Sequence, residues 1–192
     1  MEATALLLFL GKKNQGKTAL ARKVLWDQLA KDPKAPAICF DPMGQLRDGV
    51  GVVFPDVGAA RAHLQTHGGL PRLTIFREES IDNVCELAWS VGDCVLFLDE
   101  MDHAFKRKDW SAPFAYKVSH YGRHRGILTL ATFRYTRNVN EDLVSLADKV
   151  FIFHHSSASP FDLRTLGQRF GPDWPGLAVG LERFQFAVWE DL

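Results

Sequence analysis

The chain has 192 residues, 46% of them hydrophobic, and its 23 basic residues balance 23 acidic ones. This size suits one well-packed domain, and zero net charge argues against a protein that coats nucleic acid with its whole surface. No window approaches the roughly 18 to 20 apolar residues of a membrane helix, and no signal peptide is evident, so we expect a soluble intracellular protein. The three cysteines lack C-x-x-C spacing and are expected in the core.

Apolar segments of strand length alternate along the chain with segments of helical periodicity, which is typical of a parallel sheet in an α/β domain. Buried strands are predicted at residues 5–10, 37–40, 73–76, 94–98, 127–131 and 149–153. Helices are predicted at 17–31 and 80–91, within 112–121, and from residue 140. The partial alternation of apolar residues from 184 to 189 predicts a closing edge strand.

The first predicted strand leads directly into a phosphate-loop motif. The pattern G-x-x-x-x-G-K-[ST] is matched at every fixed position by Gly11-Lys12-Lys13-Asn14-Gln15-Gly16-Lys17-Thr18. Two glycines let successive backbone N–H groups point inward at a helix N-terminus, where they bind phosphate. The predicted nucleotide-binding residues are therefore Gly11, Lys12, Asn14, Gln15, Gly16, Lys17 and Thr18. Lys17 is expected at the β- and γ-phosphates of ATP, and Thr18 at a magnesium ion.

A second motif completes the predicted nucleotide site. The apolar run 95–98 ends in Asp99 and Glu100, which is the Walker B arrangement. Asp99 is predicted to hold the magnesium ion or its waters, and Glu100 to orient and activate water near the γ-phosphate. This pair predicts hydrolysis as well as binding. Two predicted strands separate the motifs in sequence, which resembles the ASCE branch of P-loop NTPases, where an added strand lies between the two motif strands in the sheet.

The turn Tyr121-Gly122-Arg123-His124-Arg125-Gly126 precedes a strand that ends in Ala131-Thr132-Phe133-Arg134. Turn and strand resemble the G-R-x-x-G-like turn and the A-T-Q-R-P strand end of the HerA/FtsK superfamily of ring-forming DNA pumps. Asp41-Pro42-Met43-Gly44 is similar to the D-P-x-G of that superfamily, although a simple turn explains it equally well. The chain departs from the family pattern at Phe133 and Tyr135, where the family has glutamine and proline.

The resemblance implies a three-layer RecA-like fold with a mainly parallel sheet flanked by helices. It implies one P-loop ATPase domain over residues 1–192, with a core at 3–154 and a C-terminal extension at 155–192. Arg123 is implied as an arginine finger for a neighbouring subunit's nucleotide, with Arg125 as its substitute, because a guanidinium meets two phosphate oxygens at once. Thr132 lies at the end of the implied sensor strand and is a further candidate catalytic residue.

Positive charge is concentrated in one segment. Residues 103–137 contain eight basic residues against the single acid Asp109, so the rest of the chain carries a matching negative excess. Lys106, Arg107 and Lys108 follow the Walker B strand and are candidates for contacts to DNA phosphates, which would be independent of base sequence. A solvated charged face explains such a run equally well.

The chain is most similar to the small genome-packaging ATPases of membrane-containing double-jelly-roll phages and archaeal viruses. That resemblance implies an ATP- and magnesium-dependent motor that moves double-stranded DNA into a preformed capsid as a homo-oligomeric ring, in particular a hexamer. It places the protein in the cytoplasm of the infected host cell or on the virion, with a capsid vertex or membrane protein as a further partner.

Two other functions stay open at this point. A small-molecule P-loop kinase would use Arg134 and Arg137 as a lid, but it needs no water-activating carboxylate such as Glu100. A nucleotide-controlled virion assembly or secretion ATPase would hydrolyse slowly and move no DNA. The pocket for the adenine base is not located by any motif, and the stretch 161–170 is only a candidate for it.

Overall fold

The computed structural model describes residues 6–44, 50–69, 71–103 and 112–190. Eight strands of these residues form one sheet in the order β3-β4-β2-β5-β6-β1-β7-β8. All neighbours in the sheet are parallel except β7 and β8, which pair antiparallel. The strands are β1 (Leu6–Leu10), β2 (Ala37–Phe40), β3 (Val52–Phe54), β4 (Arg72–Ile75), β5 (Val95–Leu98), β6 (Leu128–Phe133), β7 (Lys149–Phe153) and β8 (Phe186–Trp189).

The described residues form seven α-helices, which cover both faces of the sheet. One face packs against the first helix through a cluster that includes Leu7 and Phe9, and the other packs against the remaining helices through a cluster that includes Leu8 and Leu10. The chain therefore forms three layers. The helices are α1 (Lys17–Lys31), α2 (Val57–His67), α3 (Ile81–Val91), α4 (Pro113–Tyr121), α5 (Glu141–Leu146), α6 (Pro160–Phe170) and α7 (Trp174–Gly180).

The predicted α/β fold is confirmed. All six predicted buried strands are present, and β6 lies between β1 and β5, so an added strand does separate the two motif strands. The predicted edge strand is β8, which joins the last part of the chain to the same sheet as the predicted core. Short interior strands are continuous apolar runs because helices cover them on both faces, as β1 and β5 show.

One strand and three α-helices of the described residues were not predicted. Strand β3 has only three residues, and Val52 and Val53 are exposed, so it shows neither a buried run nor alternation. Helix α2 follows it, with Asp56 capping the helix by accepting a hydrogen bond from the Ala59 N–H at 2.8 Å. Helices α6 and α7 both have a proline in the first turn, a position where the missing N–H costs no hydrogen bond.

The sheet topology brings the sequence motifs to one edge. Strands β1, β5 and β6 run parallel, so the residues that follow them, including Gly11, Asp99 and Arg134, come together at their carboxyl ends. Because the amide and carbonyl groups of the strands are already paired, the side chains and loop amides beyond the strand ends are available for a ligand. The site is built at this carboxyl edge.

Candidate nucleotide site

The phosphate loop is held between the ends of two strands. The Gly11 N–H donates to the Phe133 carbonyl at 3.2 Å, and the Lys12 N–H donates to the His154 carbonyl at 3.4 Å. Gly11 has φ 148°, and a Cβ there would lie 2.7 Å from Cβ of Phe153, so no larger residue fits. Gly16, with φ 100°, precedes the first turn of α1. The loop therefore has the curled backbone that the motif predicts.

Lys17 is a buried cation at the start of α1. Its side chain is 6% exposed, and its Nζ donates to the Lys12 carbonyl at 2.7 Å. Burial lowers the pKa of Lys17 to about 8, although the carboxylates of Asp99, Asp102 and Glu100 oppose this shift. An anion in the loop would stabilise the charged form, so the position is suited to phosphate.

Asp99 lies at the centre of a hydroxyl network. Its Oδ1 accepts hydrogen bonds from the hydroxyls of Thr18 at 3.0 Å and Thr132 at 2.6 Å. The Thr132 hydroxyl also accepts from the Glu100 N–H at 2.9 Å, so it fixes both acids of the Walker B motif. Asp99 is fully buried, and burial raises its pKa despite the two hydrogen bonds.

These oxygens fit a magnesium ion. Asp99 Oδ2 is buried and has no hydrogen-bond partner among the described residues, and the Thr18 hydroxyl lies beside the same carboxylate. Magnesium prefers hard oxygen ligands, and it is usually held by one or two carboxylates together with phosphate oxygens and water. A buried carboxylate oxygen without a partner is the feature that such an ion would satisfy.

Glu100 is paired with an arginine that the sequence analysis assigned only to the kinase alternative. Arg134 Nε donates to Glu100 Oε1 at 3.0 Å, and Arg134 Nη2 contacts both carboxylate oxygens. Glu100 has φ 56°, an uncommon conformation for this residue type. The carboxylate of Asp102 accepts from the N–H groups of Arg134 and Tyr135, so it fixes the backbone that carries this arginine. The sequence did contain a sign of this role for Arg134, because it is the arginine of the A-T-x-R pattern at the end of the strand.

A cavity of about 260 Å³ opens above the phosphate loop. Glu100 contributes to its lining, and so do two residues from the C-terminal part of the chain that the sequence analysis missed, Arg183 and Phe184. The other lining residues are consecutive in the loop and in the first turn of α1: Lys13, Asn14, Gln15, Gly16, Lys17, Thr18 and Ala19. Phe161, in the stretch considered for the adenine pocket, lines a different cavity with Arg137 and Arg164.

The two arginines proposed as fingers lie far from this cavity in the same chain. They occupy a single turn of 3₁₀ helix, Gly122–Arg125, which precedes β6 and so lies at the amino edge of the sheet. Arg123 Nη2 pairs with Asp148 Oδ1 at 2.5 Å, and Arg125 Nη2 donates to the Trp89 carbonyl at 2.9 Å. The proposed DNA contacts Lys106, Arg107 and Lys108 lie outside the described residues.

Comparison with known proteins gives structural matches. No protein-family model and no curated protein sequence matches the chain. The genome packaging NTPase B204 from Sulfolobus turreted icosahedral virus 2, in complex with ATP-gammaS, matches with a TM-score of 0.80 at 17% identity over 99% of this chain and 93% of that chain. B204 from Sulfolobus turreted icosahedral virus, described as a DNA-packaging ATPase, matches with a TM-score of 0.76 at 16% identity over 99% and 94%. The bacterial conjugative coupling protein TrwB matches with a TM-score of 0.68 at 12% identity over 97% and 83%.

The strand order and the phosphate loop place this chain in the P-loop NTPase fold, in its ASCE arrangement. Within that class, the B204 and TrwB structures share its fold. Across the part of the chain that the structure describes, no helix has the length and apolar character needed to cross a membrane.

Proposed function

We propose that this protein is an ATP-hydrolysing motor that translocates double-stranded DNA and packages a viral genome into a preformed capsid. The observation that carries the proposal is the meeting of Lys17, Thr18 and Glu100 around one cavity, in a fold shared with viral genome-packaging NTPases. The Thr18 hydroxyl donates to Asp99, which brings the Walker B aspartate to the same place. Its site of action is the host cytoplasm or the virion, where a capsid vertex or membrane protein is the docking partner.

Each group at the site has a separate role in hydrolysis. The loop amides and the Lys17 ammonium bind and neutralise the phosphates of ATP. Thr18 and Asp99 would hold Mg²⁺, which would supply positive charge to neutralise the phosphates. Glu100 orients the attacking water and accepts its proton on a carboxylate oxygen as the bond from water to the γ-phosphorus forms and the bond to the β–γ bridging oxygen breaks.

Arg134 is proposed to position Glu100. Its guanidinium donates to the Glu100 carboxylate through Nε and Nη2 and so holds the orientation of that side chain beside the cavity. Two carboxylate oxygens offer about four acceptor sites, so water can still bind beside the arginine. Arg134 thus acts on the reaction through Glu100.

The motor is proposed to work as a ring, in particular a hexamer. Arg123 lies at the opposite edge of the sheet from its own phosphate loop, so it serves a nucleotide only when that nucleotide belongs to a neighbour. Lys106, Arg107 and Lys108, in the segment after Glu100, are proposed to hold DNA phosphates in the channel without reading sequence.

ATPase assays with and without duplex DNA test this function. We expect turnover to rise with duplexes of any sequence, and this stimulation to fall steeply with salt. Glu100→Gln should reduce turnover at least a hundredfold (~3 kcal/mol of barrier) and keep ATP binding. The matched control Glu190→Gln changes an exposed carboxylate that pairs with Lys149 and should behave as wild type.

The assay also separates the alternatives. A kinase would need a small phosphoryl acceptor and would ignore DNA, and an assembly ATPase would hydrolyse slowly whether or not DNA is present. Either result would contradict the motor. Replacing Lys106, Arg107 and Lys108 together by alanine should remove the DNA stimulation and leave the DNA-free rate in place. If DNA still stimulates the triple variant, these three residues do not contact DNA in the way proposed.

A further inference from the structure

A turn near the C-terminus packs against the outside of the phosphate loop. The Arg183 Nε donates to the Asn14 carbonyl at 3.3 Å. Phe184 comes so close to Gly16 that a Cβ on that glycine would lie 3.0 Å from Cδ1 of the ring. Two hydrogen bonds between Glu182 and Gln185 close the turn, at 2.9 and 3.1 Å. The turn is therefore closed by its own hydrogen bonds, and it forms a wall of the cavity above the phosphate loop.

Phe184 has two features that packing alone does not explain. It is 59% exposed although it is a large apolar residue, and its φ of 70° lies in the left-handed region that bulky residues rarely adopt. The Arg183 guanidinium lies over its ring, 4.6 Å from the centroid. The backbone conformation thus presents an aromatic ring and a stacked cation to the cavity at a cost in conformational energy.

The order of the strands indicates which end of a bound nucleotide lies at which side of the cavity. Glu100 follows β5, the phosphate loop follows β1, and Phe184 precedes β8, so in the order β5-β6-β1-β7-β8 the two side chains flank the loop on opposite sides. The γ-phosphate belongs on the Glu100 side, because the proposed water-activating group is there. The nucleoside end of a bound nucleotide must then extend toward Phe184.

We infer that Arg183 and Phe184 form the nucleoside subsite, in which the base of the nucleotide stacks on the Phe184 ring beside the Arg183 guanidinium. This inference rests on the proposed function and adds to it the part of the site that recognises the nucleoside. Stacking uses the face of a base and not its edge, so the subsite accepts adenine and guanine alike.

Binding of three diphosphate ligands, two with a nucleoside and one without, tests the subsite without hydrolysis. Titration calorimetry would measure the affinity of the protein for ADP, GDP and pyrophosphate. We expect Phe184→Ala to weaken ADP and GDP by about tenfold each and to leave pyrophosphate unchanged, because a stacked base contributes in that range. Phe184→Tyr keeps the ring and should bind as wild type. Phe161→Ala removes another exposed phenylalanine, outside this cavity, and serves as the matched control.

The outcomes distinguish the subsite from the proposed function. A wild-type protein that binds neither ADP nor pyrophosphate would contradict the nucleotide site itself. If wild type binds both ligands and Phe184→Ala binds ADP equally well, the subsite is wrong. Equal weakening of ADP and pyrophosphate would show that the turn only supports the shape of the phosphate loop, which also overturns the inference. A selective loss of ADP in Phe161→Ala would place the base on α6 instead.

Discussion

Lys17 shows how one residue links burial to ligand binding. Its ammonium is enclosed at the start of α1, where burial outweighs three nearby carboxylates and lowers its pKa to about 8. Water can no longer stabilise this charge fully, so an arriving phosphate replaces the lost hydration. The free protein therefore has a poorly hydrated cation at the position proposed to bind phosphate.

This shift predicts how nucleotide affinity depends on pH. A phosphate binds the charged lysine, and in the free protein that form is lost as pH rises through about 8. ADP affinity should therefore fall by about tenfold between pH 7 and pH 9. Calorimetry over this range measures it, and Lys17→Arg, whose guanidinium stays charged, should remove the dependence from whatever affinity remains. A wild-type affinity that is flat across this range would contradict the lowered pKa.

At the scale of elements, β6 is the strand that aligns the site. It lies between the two motif strands, and its register pairs Ala131 with Leu98, so Thr132 stands level with Asp99. One hydroxyl at that level donates to Asp99 and accepts from the Glu100 N–H. The inserted strand thus sets the relative position of the proposed metal ligand, Asp99, and the proposed water-activating group, Glu100.

The alignment predicts the effect of removing this hydroxyl. Thr132→Val has nearly the same shape but neither donates nor accepts, and we expect ATP turnover to fall by 10- to 100-fold, the usual range for a residue that orients a metal ligand. The magnesium concentration for half-maximal turnover should rise, while ADP affinity without magnesium stays the same. Thr132→Ser restores the hydroxyl and should restore most of the rate. An unchanged magnesium response in Thr132→Val would show that the hydroxyl only stabilises the fold.

Which parts of the structure could be predicted from the sequence also depends on how far apart in sequence the contributing residues lie. The buried strands and the two nucleotide motifs were predicted because each depends on neighbouring residues in sequence. The Arg134–Glu100 pair and the Arg183–Asn14 contact join residues 34 and 169 positions apart, and local patterns carry no information on such contacts. Strand β3 was missed for another reason, since two of its three side chains are exposed and its place at the sheet edge comes from pairing with β4.

At the scale of the whole molecule, the candidate functional residues lie at two opposite edges of the sheet. The nucleotide cavity lies at the carboxyl edge, and Arg123 lies at the amino edge in an ion pair with Asp148. Asp148 Oδ2 also accepts from the Leu6 N–H, at the start of the strand that leads to the phosphate loop. If Arg123 is to contact a neighbouring subunit's nucleotide, its ion pair with Asp148 must break. The Arg123 side chain is about half exposed, so this pair is weak.

Mixed assemblies test whether Arg123 acts across subunits. Lys17→Ala removes the nucleotide site but keeps the finger, and Arg123→Ala does the reverse, so each variant alone should lose turnover. Mixing equal amounts before assembly should recover about a quarter of wild-type turnover, because one interface in four then joins an intact site to an intact finger. Arg164→Ala changes an exposed arginine that does not line the nucleotide cavity, and this variant should keep full turnover.

Two results would contradict this arrangement. Full turnover in Arg123→Ala alone would remove this residue from the reaction. A mass measurement that finds only monomers, even with non-hydrolysable ATP, would remove the sharing of sites between subunits.

The position of Arg123 and the phosphate loop at opposite edges of one sheet has a geometric consequence for any shared site. A contact that joins the front of one subunit to the back of the next uses two different surfaces, so it repeats head to tail and cannot pair two copies symmetrically. Such a closed ring has a sense of rotation. A signal that passes from each nucleotide to the next finger would travel around it in one direction only, and that asymmetry is already present in the single chain.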